Sequence, residues 1–190
     1  MFQKMKIKLF KYFTRSRMFP YFDNNGKIVK NTRISSSVLF IEESNISIGE
    51  NIFIWQNTIL DGSGKLTISE GCQIGANVSI FTHSSHFAIR LFGRYYAEKC
   101  FGEVNKGYIK KEVFVGKYTF IATGSIILPG VNIGKGVIIA PNSVVNINLP
   151  DYSIVQGNPC VIIGDTRKID KKYLKNSDEF TQYYNEWNIK

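Results

Sequence analysis

From Val115 to Val144 the chain reads VGKYTF IATGSI ILPGVN IGKGVI IAPNSV, consecutive six-residue blocks that each open on Val or Ile and usually continue with Gly or Ala. Val145 opens one more block. The same register occurs upstream as IGENIF IWQNTI from Ile48 and ISEGCQ IGANVS IFTHSS from Ile68, with weaker blocks at Ile28, Ile34 and Phe40. Self-similarity at a fixed period outranks local propensity. One inward aliphatic per six residues, followed by turn-prone residues, describes a short strand and a corner repeated so that coils stack into a parallel β-helix with interior aliphatic ladders. Apolar positions three and four apart are missing between Ile48 and Val145, which argues against an α/β alternation. An antiparallel sandwich would need alternation and hairpin turns at longer intervals.

The chain has 190 residues and 44% hydrophobic composition, enough for one domain with a substantial core. Its 24 Lys and Arg against 15 Asp and Glu favour anionic ligands. The charge is dispersed and no nucleic-acid-binding motif is present, which disfavours a nucleic-acid partner. Cys72, Cys100 and Cys160 lack CxxC spacing and are odd in number, so neither a zinc cluster nor a disulfide framework is expected and a reducing cytoplasm fits. In residues 1–27, Phe2, Met5, Leu9 and Phe13 recur at helical spacing with Lys4, Lys8, Lys11 and Arg15 largely opposite. This basic amphipathic segment either packs on protein or forms a peripheral foot at the inner membrane surface. Lysine and arginine interrupt it too often for a signal peptide or a spanning helix.

The run IILPGVNIGKGVIIAPNSVVNINLPDYSIVQGNPC, residues 126–160, with its LPG, LPDYS and GNP segments, resembles the hexapeptide-repeat acyltransferases. Within that family the chain is similar to acetyl-CoA-dependent O-acetyltransferases of sugars and surface polysaccharides, over roughly residues 28–164. The resemblance implies an all-β fold, a left-handed parallel β-helix with three hexads per coil, and assembly as a homotrimer. Short N- and C-terminal helical segments, 1–27 and 165–190, would flank it, with one long loop over 87–112.

Three hexads per coil give both histidines of the chain, His83 and His86, an address. With Ile48, Ile54 and Leu60 opening the faces of one coil and Ile68, Ile74 and Ile80 those of the next, His86 falls at the corner after the third face. Beneath it lies Asp61-Gly-Ser-Gly-Lys65, a corner two residues longer than the repeat, and above it the chain leaves the helix until Val115. Two histidines are too few for a zinc site, which takes three or four ligands, so no metal is expected. Transfer of acetyl from a thioester to a hydroxyl requires a base, and an imidazole titrating near neutrality suits that task. The family's histidine ends the hexad before its loop. Here Ser85 holds that sixth place, His86 the seventh and His83 the fourth; His86 is preferred as nearer, with Asp61 a neighbour able to fix its tautomer. Backbone N–H groups at a tight corner would stabilise the oxyanion, and no cysteine nucleophile is needed.

The resemblance also implies that acetyl-CoA lies between adjacent subunits against the corner Phe120-Ile-Ala-Thr-Gly124, with Phe120, Ala122 and Gly124 as wall and the Thr123 N–H as donor. One coil on, Pro141 supplies no N–H, leaving Ala140 or Asn142 to compensate. Ile147 stands where relatives often have lysine, so Lys135, Arg167 and Lys168 are the candidates for the cofactor phosphates. On the acceptor side, Arg90, Arg94, Tyr95 and Tyr96 bring forks for a carboxylate and rings for a sugar face, which fits a saccharide, in particular an acidic one. Phe180, Tyr183, Tyr184 and Trp187 recur at helical spacing and mark a C-terminal helix that packs on the coils and covers their open end. N-acylation of an amino sugar and non-catalytic binding remain alternatives, because fold does not separate them.

Overall fold

The computed structural model describes residues 5–6, 16–100 and 107–188. The expected N-terminal helix therefore lies largely outside the described residues. Three sheets of short strands stack as the faces of a triangular prism. The first face aligns Ile48, Ile68, Val115 and Ile133 in register. The second aligns Ile34, Ile54, Ile74, Ile121, Ile139 and Val155, and the third Phe40, Leu60, Ile80, Ile127 and Val145. Apart from Val155, these are the block-opening residues of the sequence. From Ile54 upward along the second face each is fully buried, and they form the core. Ile28 is the exception: it is exposed and pairs with Phe22 at the edge of a hairpin.

The corners explain the small residues between strands. At the corner joining first and second faces, Asn31, Asn51, Gly71, Tyr118, Gly136 and Tyr152 all have positive φ; at the next corner Asn57, Asn77, Gly124, Asn142 and Gly157 do. One left-handed residue per turn favours Asn and Gly, which adopt that conformation at least cost. Inward hydroxyls close the same corners, as Thr58 Oγ1 donates to the Gly75 carbonyl at 3.0 Å and Thr119 Oγ1 to that of Gly134 at 2.9 Å.

Both ends of the second face are closed by antiparallel strands. Met18–Phe22 pairs with Ile28–Ser35 at one end, and Val161–Asp165 pairs with Ser153–Gln156 at the other. A parallel stack has an unpaired edge at each end, and these hairpins satisfy it locally. On the second face, therefore, a strand and not the C-terminal helix covers the edge. After α1 (His86–Phe92) and α2 (Tyr96–Cys100), the chain ends in α3 (Thr166–Leu174) and α4 (Asp178–Asn188). Trp187 of α4 packs against Tyr118 and Tyr152, ring centroids 4.7 and 6.2 Å away, on the side of the prism. The excursion over 87–112 is correspondingly less of a loop than expected: it leaves through α1 and returns as a strand, with His83 paired to Lys110 and Ser84 to Ile109. No helix among the described residues is long and apolar enough to cross a membrane.

Candidate active site

Asp61 lies where the third face turns into the first, and the two extra residues of its corner let the chain fold back onto its carboxylate. Asp61 is fully buried. Its Oδ1 accepts from the Ser63 N–H at 2.9 Å, and its Oδ2 from the Thr82 N–H at 2.7 Å and the His83 N–H at 3.1 Å. The Thr82 hydroxyl donates to Oδ2 as well, at 3.0 Å. His83 Nδ1 completes the set, 2.6 Å from Oδ2. Burial pushes the carboxyl pKa up, but hydrogen bonds from Ser63, Thr82 and His83 outweigh it and hold the group at about 2. An ionised carboxylate accepts only, so Nδ1 must carry the proton of a neutral imidazole and Nε2 is left as the basic atom.

This arrangement corrects the pairing expected from counting hexads. Asp61 orients His83, whereas His86 is exposed at the start of α1, with Nδ1 2.7 Å from the Ser84 hydroxyl and its ring against Phe87. The physical reason is the antiparallel return strand, which extends the third-face chain past the corner and turns His83 back over Asp61. Tyr108, outside every hexad and motif of the sequence, stacks on the His83 ring at 5.4 Å between centroids and 6° between planes. Phe81 meets His83 edge-on at 6.5 Å.

The expected cofactor corner lies on a different edge, between second and third faces. Phe120 is exposed there and Ala122 buried. The Thr123 carbonyl accepts from the Asn142 N–H at 3.0 Å, while the Thr123 N–H has no acceptor among the described residues. Gly75 in the coil below keeps that N–H open, since a Cβ there would stand 2.7 Å from the Thr123 nitrogen. The compensation expected for Pro141 does not occur. Ala140 N–H donates to the Val155 carbonyl and Asn142 N–H to that of Thr123, so the coil-to-coil ladder consumes both.

Three basic candidates sit elsewhere again. Lys135 Nζ donates to the Asn188 carbonyl at 3.0 Å, Arg167 pairs with Asp165 at 2.6 Å and lies over the Tyr152 ring, and Lys168 follows it on α3. They belong to the edge between first and second faces, on which α4 docks. The ladder of Lys117, Lys135 and Tyr152 climbs a different edge from Thr123, so within one chain these cations and the Thr123 corner are not brought together. Arg90 and Arg94 are also engaged locally, over Phe87 at 5.2 Å and Tyr95 at 4.8 Å. Among the described residues no hydrogen bond or ring contact links Arg90, Arg94, Tyr95 or Tyr96 to His83.

Cys72 is fully buried, and burial pushes its thiol up to about 12; Cys160 is buried and shifted the same way. Neither offers a thiolate at neutral pH. Among the described residues no group of three or more His, Cys, Asp or Glu gathers around a metal position. A cleft of about 830 Å³ runs from the N-terminal hairpin at Asn24 and Lys27, past Ser44 and Ser47, to the corner at Ser63 and Lys65. Its upper lip touches the edge that carries Asp61 and His83, since the Gly64 N–H donates to Thr82 Oγ1 at 2.7 Å.

Residues 112–146 match the family described as bacterial transferase hexapeptide (six repeats). A Saccharomyces cerevisiae protein named for an inferred acetyltransferase activity, YJL218W, is 33% identical over 181 residues, 90% of this chain and 83% of its own. The dTDP-4-amino-4,6-dideoxy-D-glucose acyltransferase of Escherichia coli is 29% identical over 76% of this chain and 74% of its own. Among solved structures, galactoside acetyltransferase in complex with coenzyme A superposes with a TM-score of 0.59 at 25% identity, covering 70% of this chain and 62% of that one. With its hexad ladders and these relatives, the chain belongs to the hexapeptide-repeat acetyltransferases and folds as their left-handed parallel β-helix.

Proposed function

We propose that the protein transfers acetyl from acetyl-CoA to a hydroxyl of a saccharide, with His83 as general base. The observation that carries this is the 2.6 Å contact between His83 Nδ1 and the buried Asp61 carboxylate. Nε2 takes the acceptor hydroxyl proton as the oxygen attacks the thioester carbonyl, and Asp61 stabilises the imidazolium that forms. Collapse of the tetrahedral intermediate breaks the carbon–sulfur bond, and the imidazolium returns its proton to the leaving thiolate. Donor binding is assigned to the Phe120–Gly124 corner, supported by the open Thr123 N–H and by the coenzyme A bound to the galactoside enzyme.

The cleft below the Asp61 corner suits the acceptor. Its charges balance, Asp23 and Glu50 against Lys27 and Lys65, and amide and hydroxyl groups dominate the rest of its polar lining. This favours a neutral saccharide over the acidic one expected from Arg90 and Arg94. The amino-sugar acyltransferase of Escherichia coli supports a second reading, N-acylation, in which the same base would take a proton from an amine.

Thiol release from acetyl-CoA, measured across neutral, acidic and amino sugars, tests these readings. His83→Ala should lower turnover by about two to four decades, and His86→Ala should leave it within a few-fold of the parent. The reverse pattern would return the base to His86, and unchanged turnover in both would sink the mechanism.

A further inference from the structure

The return limb of the excursion is tied down along its length. Gly107 accepts from the Ala88 N–H at 3.0 Å, the Lys111 N–H donates to the Thr82 carbonyl at 2.9 Å, and Glu112 pairs with Lys65 at 3.2 Å. Gly64 makes room for it, since a Cβ there would come 2.6 Å from the Lys111 nitrogen. Between these anchors Tyr108 lies flat on the His83 ring, with Lys110 Nζ 5.9 Å from the centre of the tyrosine ring.

We propose that Tyr108 is a positioning residue for His83, fixing by offset parallel stacking the rocking of the imidazole plane that Asp61 alone leaves free. With the ring anchored covalently at Cβ and by one hydrogen bond at Nδ1, its plane can still rock about that pair of points, and this pivot swings Nε2. Stacking on one face removes that pivot. Aromatic pairs gain stability beyond their buried area, enough to populate one orientation over another. The Tyr108 hydroxyl is not required for this, because the effect belongs to the ring. The inference rests on His83 being the base, but its physical content, an immobilised imidazole, is measurable without turnover.

The test pairs Tyr108→Phe with Tyr108→Leu in the full chain. By proton and nitrogen NMR, stacking should move the His83 ring protons upfield of those of His86 in the parent and in Tyr108→Phe. The His83 Nδ1–H signal should be sharp in both and broadened by exchange in Tyr108→Leu. Turnover should fall about 10- to 100-fold in Tyr108→Leu, the scale of a misplaced catalytic group, with the KM for acetyl-CoA unchanged and Tyr108→Phe close to the parent. An unshifted His83 ring in the parent overturns the proposal whatever the variants do. So does a sharp Nδ1–H signal in Tyr108→Leu, or a Phe variant as impaired as the Leu variant, which would assign the hydroxyl a direct role. Absence of acetyl transfer in every variant with the NMR pattern intact would instead count against the proposed reaction and leave the positioning standing.

Discussion

Asp61 is fully buried, and its two oxygens receive backbone, hydroxyl and imidazole donors from Ser63, Thr82 and His83. Its pKa is lowered from an ordinary 3.8 to about 2, so the folded state binds its proton less readily than the unfolded chain. The stabilisation is therefore present above pH 4 and is lost as pH falls from about 4 through 2. It amounts to about 2 kcal/mol at neutral pH, the free energy of a shift of that size. Urea unfolding at a series of pH values should show the parent losing stability across that window and Asp61→Asn, less stable at pH 7, with a flatter profile there. Parallel profiles would mean that the carboxyl titrates alike in the folded and unfolded chain, and that the hydrogen bonds it accepts do not hold its pKa down. The sequence placed Asp61 on the same edge as both histidines, because position along a hexad is legible by counting. Which histidine it holds was not legible, since that depends on a return strand whose pairing partners, Lys110 and Ile109, are separated from His83 and Ser84 by the whole excursion.

Single elements show where periodicity stops being informative. The inward residue of each strand was readable because it repeats, but the corner residues carry their own code. Climbing the edge between first and second faces, Gly71, Tyr118, Gly136 and Tyr152 alternate, all with positive φ. Each tyrosine ring lies over the glycine of the coil below: a Cβ on Gly71 would collide with the Tyr118 ring, and one on Gly136 would stand 2.9 Å from Tyr152 Cδ1 and 3.2 Å from Trp187. The left-handed conformation costs a tyrosine about 1–2 kcal/mol, and α4 offsets it by seating Trp187 against both rings. The helical spacing of Phe180, Tyr183, Tyr184 and Trp187 announced the helix, yet nothing in the hexads marked its docking ground. Gly136→Ala and Trp187→Ala should each destabilise the protein, by about 1–3 kcal/mol, as measured by urea unfolding. Because both act on the same seat, the double variant should lose less than the two losses added together. Strict additivity would show that α4 is not held through this corner.

At the scale of the molecule, the proposed base and the proposed donor corner occupy different edges of one prism. His83 is where the third face turns into the first, and Thr123 where the second turns into the third, with the strands Ser79–Ile80 and Ile126–Ile127 between them. An isologous dimer brings like edges together, whereas a closed ring of heterologous contacts brings the His83 edge of one subunit to the Thr123 edge of the next. The second face leading to Thr123 also exposes Phe53, Trp55 and Phe120, side chains that such a contact would cover. The site is therefore proposed to form between subunits of a trimer. Complementation reads this directly. His83→Ala removes the proposed base, and Thr123→Pro removes the open N–H at a corner that already carries Pro141 one coil later, so the fold has a precedent for it. Each variant alone should be nearly inactive. Mixed one to one through unfolding and refolding, an active site needs an intact His83 from one chain and an intact Thr123 from its neighbour, which random assembly supplies at about a quarter of all sites in a ring with heterologous contacts. Recovery near a quarter of parental activity is the expected result, and a mixture no more active than its components would place both halves of the site within a single chain.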